Sequence, residues 1–210
     1  MIKILVADDH AMIRRGIQQT VADETDMLVV GEARNAQQVL DLVQTIACDV
    51  VILDISMPGR SGLEVLKEIK KERPALPVLM LSMHPEEQFA VRALRAGASG
   101  YLTKESPPEE LLTAVRKVCS GGKYLTLSLA EKIAAELVTA STPNGHEGLS
   151  DREYEVFYRL AKGLTVSAIA EQLSLSVKTV STYRSRVLEK MNLKNNAELM
   201  RYAMQQQLVE

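Results

Sequence analysis

Asp54 closes an unbroken apolar run, Val50 to Leu53, and Pro58 and Gly59 then turn the chain. Such a run predicts a strand buried on both faces, the interior of a parallel sheet. Its terminal carboxylate stands at the carboxyl end of a central strand, the edge on which open α/β sheets bind ligands. Alone, an Asp there could simply cap the next helix. Asp8 and Asp9, however, end a second apolar run, Ile2 to Ala7. Three carboxylates at adjacent strand ends repel one another, and the cluster is costly without a cation. Hard oxygen ligands with room for water suit Mg²⁺ (or Mn²⁺). A cation there could also bind a phosphoryl group arriving on a carboxylate, and Asp54 is best placed as the nucleophile, in the manner of an aspartyl-phosphate. Two further groups end strands on the same edge. Ser82 follows Val78 to Leu81, and its hydroxyl can donate to a phosphoryl oxygen. Lys104 follows Gly100 to Thr103, and its ammonium can pair with phosphate as a point charge. Taken singly, Ser82 reads as a helix N-cap, Lys104 as solvated surface and Tyr101 as half-buried core. Three acids, a hydroxyl and a lysine, each at a strand end in matching chain order, point instead to phosphoryl chemistry.

That placement requires particular elements. Strands are predicted over Ile2–Ala7, Met27–Gly31, Val50–Leu53, Val78–Leu81 and Gly100–Thr103. Helical spacing joins them: His10 to Val21 with Met12, Ile13, Ile17 and Val21 on one side; a helix capped by Asn35 with Val39, Leu40, Val43 and Ile46; one from Ser61 with Leu63, Val65, Leu66 and Ile69; Pro85 to Arg95, stopped at Gly97; and one opened by Pro107-Pro108 and stopped by Gly121-Gly122. Strands alternating with helices predict a doubly wound parallel sheet. Right-handed crossovers leave few orders, and 2-1-3-4-5 sets the first and third strands side by side, bringing Asp8, Asp9 and Asp54 together.

Residues 1–122 thus form one domain. Residues 123–148 form a boundary, with a short helical pattern from Ser128 to Leu137 and a flexible linker from Thr139 to Gly148. From Leu149 to residue 210 everything is helical. Ser150 and Glu153 make a capping box for Asp151–Ala161. Helices follow over Val166–Leu173, Val177–Met191 and Asn195–Gln206, with a tight turn at Ser174-Leu-Ser176.

The 210 residues are 46% hydrophobic and 25% charged, an ordinary composition for a chain that buries a core. Net charge is −2. Residues 1–125 hold 15 Lys+Arg against 17 Asp+Glu, whereas residues 149–210 hold 9 against 7, so the C-terminal part is the mildly basic one. Cys48 and Cys119 read as buried free thiols in a reducing compartment. The first apolar run reaches Asp8-Asp9 too soon for a signal peptide, and no run is long enough to span a membrane. A cytoplasmic protein is expected.

Residues 1 to about 122 resemble the receiver domain of bacterial two-component response regulators. The resemblance rests on Val6-Ala-Asp-Asp-His10, Ile52-Leu-Asp-Ile-Ser-Met-Pro-Gly59, Gly62-Leu63, Met80-Leu-Ser-Met-His84 and Gly97-Ala-Ser-Gly-Tyr-Leu-Thr-Lys104. It implies that Asp54 accepts phosphate from a sensor histidine kinase. It also implies that Asp8, Asp9, Asp54 and the backbone carbonyl of Ser56 hold Mg²⁺, and that Ser82 and Tyr101 form a switch pair. One departure is Glu105, where many receivers carry a proline after a cis bond; before a non-proline that bond costs about 2.5–4 kcal/mol and is not expected. Residues 149–206 resemble the LuxR-type helix-turn-helix through Leu149-Ser-Asp-Arg-Glu153, Gly163-Leu-Thr165, Ile169-Ala170, Leu173, Leu175-Ser-Val-Lys-Thr-Val180 and Val187-Leu-Glu-Lys-Met191. The combination is that of the NarL/FixJ subfamily, in which the last helix helps make a dimer. Tyr183 stands where a histidine is commoner; a phenol can still donate to a phosphate oxygen.

The second helix of a helix-turn-helix lies in the major groove and contacts bases from its N-terminal part. Val180, Val187 and Met191 share its buried side. Ser181, Thr182 and Ser185 are short and polar on another side and are expected to approach base edges. Lys178, Thr179, Tyr183, Arg184, Arg186 and Lys190 are expected on phosphates, positioning the helix without reading sequence.

The whole describes a phosphorylation-activated, DNA-binding transcriptional regulator, not an enzyme beyond its own phosphotransfer and dephosphorylation. Its expected partners are a sensor histidine kinase, a double-stranded operator, a second copy when phosphorylated, and RNA polymerase. A Mg²⁺-dependent phosphatase using a nucleophilic Asp is the alternative, but it wants a second acid close behind, and position 56 is Ser. A receiver acting only through protein contacts is a third reading, against which residues 149–206 speak.

Overall fold

The computed structural model describes residues 1–83, 85–127, 129–131, 133, 145–206 and 208–209. The chain divides into two compact units, Met1–Ala135 and Glu136–Glu210.

In the first unit five parallel strands, β1 Ile2–Ala7, β2 Met27–Ala33, β3 Val50–Asp54, β4 Val78–Ser82 and β5 Gly100–Thr103, form one sheet in the order β2-β1-β3-β4-β5. This is the expected order, and it sets β1 against β3. The continuous apolar runs do what their composition dictates: every residue of β3 and β4 is buried. Helices α1 Ala11–Ala22, α2 Ala36–Thr45, α3 Gly62–Glu72, α4 Glu86–Arg95 and α5 Pro108–Cys119 alternate with the strands. On one face Ile4, Val6, Val50, Ile52, Leu79, Leu81 and Leu102 pack with Ile17, Val21, Leu112, Val115 and Val118 of α1 and α5. Polar caps fix the starts of α2 and α3. Asn35 Oδ1 accepts from the Gln38 N–H at 3.0 Å, and Ser61 with Glu64 forms a capping box on α3.

Several local expectations are corrected. β3 and β4 run one residue further, so Asp54 and Ser82 are the last residues of their strands, and β2 runs on to Ala33. Met12 is 82% exposed although its spacing placed it with Ile17 and Val21, while Arg14 is buried. The guanidinium of Arg14 reaches the Asp8 carbonyl at 2.8 Å and Glu32 at 3.0 Å, and it takes the inward position on that helix turn. Cys48 is buried as read, but Cys119, at the end of α5, is only half-buried; both thiols are free. Burial raises the pKa of both, Cys119 to about 11.

In the helical pattern read over Ser128 to Leu137, residues 129–131 and 133 are helical, as is Leu127 before them; residue 128 and the remainder, with 139–144 of the linker, lie outside the described residues. The end of that linker is structured. Gly145–Gly148 is a 3₁₀ turn, and His146 Nδ1 lies 2.9 Å from the Tyr202 hydroxyl with its ring stacked on Phe157. Gly145 has φ 68°, and a Cβ there would stand 2.3 Å from that hydroxyl, so glycine suits the turn on both counts. A Gly-rich composition reads as loose chain; the aromatic contacts that order it are tertiary.

The second unit continues with α6 Asp151–Ala161, α7 Val166–Gln172, α8 Val177–Lys190 and α9 Asn196–Gln205, capped by Ser150, Thr165, Ser176 and Asn195. α6 is buried along its whole length, charged residues included. Ser174, with φ 52°, makes the tight turn between α7 and α8. Val180 and Val187 are fully buried, whereas Met191 is only half-buried because α8 ends one residue before it. No helix of the described residues is long and apolar enough to cross a membrane.

Candidate functional site

The pairing of β1 with β3, Ala7 opposite Leu53, puts Asp8 beside Asp54 at the carboxyl edge of the sheet. Both acids are 1% exposed. Lys104 comes to them from the end of β5. Its Nζ lies 2.8 Å from Asp54 Oδ2 and 2.7 Å from Asp8 Oδ2, bridging the two carboxylates, with its side chain 2% exposed. The Lys104 N–H donates to the Ser82 carbonyl at 2.8 Å, which holds this loop to the end of β4. No cis peptide occurs among the described residues, so the Lys104–Glu105 bond is trans.

Burial pushes the Asp54 carboxyl up to about 6, outweighing the downward pull of Lys104; the Asp8 carboxylate pushes the same way as burial. Burial alone would lower Lys104, but Asp54 and Asp8 together hold its ammonium above the ordinary lysine value. The Ser56 N–H donates to Asp54 Oδ1 at 3.1 Å. Gly62 seats α3 directly beneath this turn. Its N–H donates to the Ile55 carbonyl at 2.8 Å, and a Cβ there would lie 2.0 Å from the Asp54 carbonyl oxygen. The sequence signal for Gly62 was its place in the motif; its role is backbone approach.

Two residues outside the sequence-read set complete the pocket. His10 Nδ1 lies 2.8 Å from Asp9 Oδ1 and 3.2 Å from Asp8 Oδ1. Asp8, Asp9, His10 and Asp54 offer ligand atoms all within 4.8 Å of one another. Asp9 Oδ1 is buried and accepts no hydrogen bond of good geometry, an oxygen suited to a cation. The three carboxylates of this set fit a hard divalent ion. The signal for His10 was its place directly after Asp8-Asp9. The other addition is Arg14, on the Asp8 carbonyl, for which only a charge among apolar positions gave a hint.

Ser82 is fully buried at the end of β4, and Tyr101 on β5 pairs with Met80. At 1% exposed, Tyr101 is more deeply buried than its half-buried reading. It lines a cleft of about 390 Å³ with Met83, Pro85, Glu86, Glu105 and Thr126.

In the second unit, Ser181, Thr182 and Ser185 are all exposed on α8, as are Lys178, Arg186 and Lys190; Thr179, Tyr183 and Arg184 are half-buried. The hydroxyls of Thr182 and Ser185 donate back to the carbonyls of Lys178 and Ser181, at 3.0 and 3.1 Å. Two cations read as phosphate contacts are engaged inside the unit. Arg184 Nε donates to Asn196 Oδ1 at 2.7 Å, and Lys190 Nζ to Glu153 Oε2 at 2.6 Å, tying α8 to α9 and α6. Lys178 and Arg186 make no ion pair among the described residues. Val177, 51% exposed in the first turn of α8, was not singled out from sequence.

Comparison with known proteins finds two matching family descriptions. Residues 4–116 match "Response regulator receiver domain", and residues 147–203 match "Bacterial regulatory proteins, luxR family". The chain is 37% identical over 200 residues to response regulator UvrY of Escherichia coli K12, spanning 95% of this chain and 92% of that protein. It is 35% identical over 214 residues to response regulator GacA of Pseudomonas aeruginosa, spanning 100% and 99%. The structure of RcsB from Salmonella enterica serovar Typhimurium, bound to promoter P1flhDC with the phosphomimetic BeF₃⁻, is similar at a TM-score of 0.60 and 26% identity over 96% of this chain and 97% of that one.

Proposed function

The chain belongs to the two-component response regulators of the NarL/FixJ subfamily, which join a receiver to a LuxR-type helix-turn-helix, and from that premise we propose how its two parts work. It is a DNA-binding transcriptional regulator whose relatives are regulators rather than enzymes. Residues 1–122 act as receiver, 123–148 as connector and 149–210 as DNA-binding part. Asp54 is the phosphoacceptor. Its carboxylate oxygen attacks the phosphorus of a phosphohistidine on a sensor kinase; the new P–O bond forms as the P–N bond breaks, and the histidine nitrogen leaves with the electron pair. Asp8, Asp9, Asp54 and the Ser56 carbonyl would hold Mg²⁺, which when bound supplies charge neutralisation at the phosphoryl oxygens. Lys104 brings its ammonium to the same oxygens as a second positive centre, Ser82 donates its hydroxyl to one of them, and Tyr101 follows into the space vacated.

The observation that carries this reading is the Lys104 ammonium, buried and bridging Asp54 and Asp8 at 2.8 and 2.7 Å. A buried cation between two acids, one of them at a strand end, supports acceptance of a dianion there. Ser181, Thr182 and Ser185 approach base edges, and Lys178, Thr179, Tyr183 and Arg186 approach phosphates, with Arg184 and Lys190 holding the helix in place for them. The phosphorylated protein acts in the cytoplasm as a dimer on its operator, within reach of RNA polymerase. Intact-mass measurement tests the acceptor: a cognate kinase or small acyl phosphate with Mg²⁺ adds one phosphoryl group to the wild type and none to Asp54→Asn. An equal gain in both refutes it.

A further inference from the structure

Resting on that reading, we infer that Glu86 and Thr126 carry the state of the pocket into the segment that follows the receiver. Past α5 the chain does not leave the sheet; it folds back as a strap along β5. Lys123 Nζ donates to the Ala98 carbonyl at 2.6 Å, and the Tyr124 N–H to the Ser99 carbonyl at 2.9 Å, forming a parallel bridge to Gly100. A Cβ on Gly100 would stand 2.8 Å from that of Tyr124, so a strand residue without a side chain is what lets the strap lie so close. The Tyr124 hydroxyl donates to Glu110 Oε1 at 2.8 Å, securing the strap to α5.

Thr126, at the end of the strap, has a hydroxyl with two tasks. It donates to Glu86 Oε2 at 2.5 Å, and it accepts from the Leu129 N–H at 3.2 Å. The second bond caps the helical stretch that starts at Leu127, whose first backbone bond runs from the Ala130 N–H to the Thr126 carbonyl. Glu86 is the first residue of α4 and stands four positions after Ser82. Its other carboxylate oxygen, Oε1, is buried and accepts no hydrogen bond from the described residues, so among them Thr126 is the contact that holds this acid. Glu86 and Thr126 also line the same cleft as Tyr101.

The physical consequence is a relay. While Glu86 accepts from Thr126, the hydroxyl rotor is fixed and its oxygen is polarised toward the Leu129 amide. Movement of Ser82 toward a phosphoryl group draws on the short connection to Glu86, and movement of Tyr101 changes the cleft between them. When Glu86 withdraws, the Thr126 side chain is free to rotate, and the cap on the segment leading away from the receiver weakens. No contact with DNA is needed for this step.

Hydrogen exchange of the full-length protein at residues 129–131, with and without beryllofluoride and Mg²⁺, tests the relay. Activation of the wild type speeds exchange there roughly fivefold, the scale of losing one cap. Thr126→Ser keeps the response. Thr126→Val, which loses the hydroxyl at constant shape, and Glu86→Ala exchange fast in both states and do not respond, although intact mass shows Asp54 phosphorylated by acyl phosphate to the wild-type extent. A wild-type response in Thr126→Val overturns the relay, as does an unresponsive wild type that is nevertheless phosphorylated. Absence of any mass gain in the wild type overturns the phosphoacceptor reading itself, and the relay with it.

Discussion

Lys104 decides the resting energetics of the pocket. Breaking a buried ion pair from one side typically costs about 3–5 kcal/mol, because the remaining charge stays buried. Lys104→Ala leaves Asp8 and Asp54 facing each other, so its thermal stability should drop well below wild type without metal and recover most of the loss with millimolar Mg²⁺. A loss that Mg²⁺ does not restore would show that Lys104 acts through packing alone. Asp54 adds a pH dependence. Its folded pKa of about 6 lies above the ordinary carboxylate value near 3.9, so between about pH 4 and 6 the metal-free folded protein holds more protons than the unfolded chain. Stability should fall as pH rises through that window, by up to about 3 kcal/mol, and the fall should be missing in Asp54→Asn. Chemical denaturation in EDTA at several pH values measures it. On α8, Lys178→Ala should weaken DNA binding on all sequences and lower the salt slope by about 1. Arg184→Ala should instead lower the melting temperature of the second unit, since it removes the bond to Asn196. Thr182 and Ser185 give their protons to the helix, which leaves them as acceptors; they suit the amino groups of adenine or cytosine. The acids, Ser82 and Lys104 were legible because a polar residue ending an apolar strand has one place to go. His10, Arg14 and the engagement of Arg184 and Lys190 were not, because the reach of a long side chain across elements leaves no mark in local spacing.

At the level of elements, the strands announced themselves through apolar runs and the helices through apolar spacing and, at α2, α3 and α6, a polar cap, so the sheet order followed from few choices. What spacing could not give was where an element stops touching its neighbour. Gly62 is the clearest case. Its position as the first residue of α3 looks like a tolerated glycine at a helix start, yet the close approach is to the backbone of Asp54 and Ile55. Gly62→Ala must push α3 away from the turn that follows Asp54. It should cost about 1–3 kcal/mol by overpacking and slow phosphorylation, while Gly16→Ala, with nothing within 4 Å of the added carbon, should do neither. Equal phosphorylation rates in the two variants would separate helix seating from acceptor geometry. The 3₁₀ turn at Gly145–Gly148 was hidden for a related reason: glycine and polar residues read as loose chain, and only the rings of Phe157 and Tyr202 make His146 an anchor.

The chain divides into a unit whose sheet edge holds buried charge and a small helical unit. Full-length protein should bind its operator more tightly once phosphorylated, and a fragment beginning at residue 145, which keeps the His146 anchor, should bind weakly and ignore the phosphodonor. Gel-shift and sedimentation titrations of both check this, and a fragment that responds to acyl phosphate would contradict the division.

At the Lys104 bridge the buried charges do not balance. Three carboxylates and one ammonium leave two negative charges over, which one divalent cation cancels. Exchanging the Asp54 carboxylate for an acyl phosphate of about two negative charges leaves roughly one in surplus. That surplus sits in a buried edge, where dissolved salt screens it little, whereas contacts on DNA phosphates weaken steeply with salt. A phosphoryl group on Asp54 and contacts on DNA would therefore obey different ionic laws. On the proposed reading, a rise in salt should detach the protein from its operator while leaving Asp54 phosphorylated, so that on dilution it rebinds without a second encounter with its kinase.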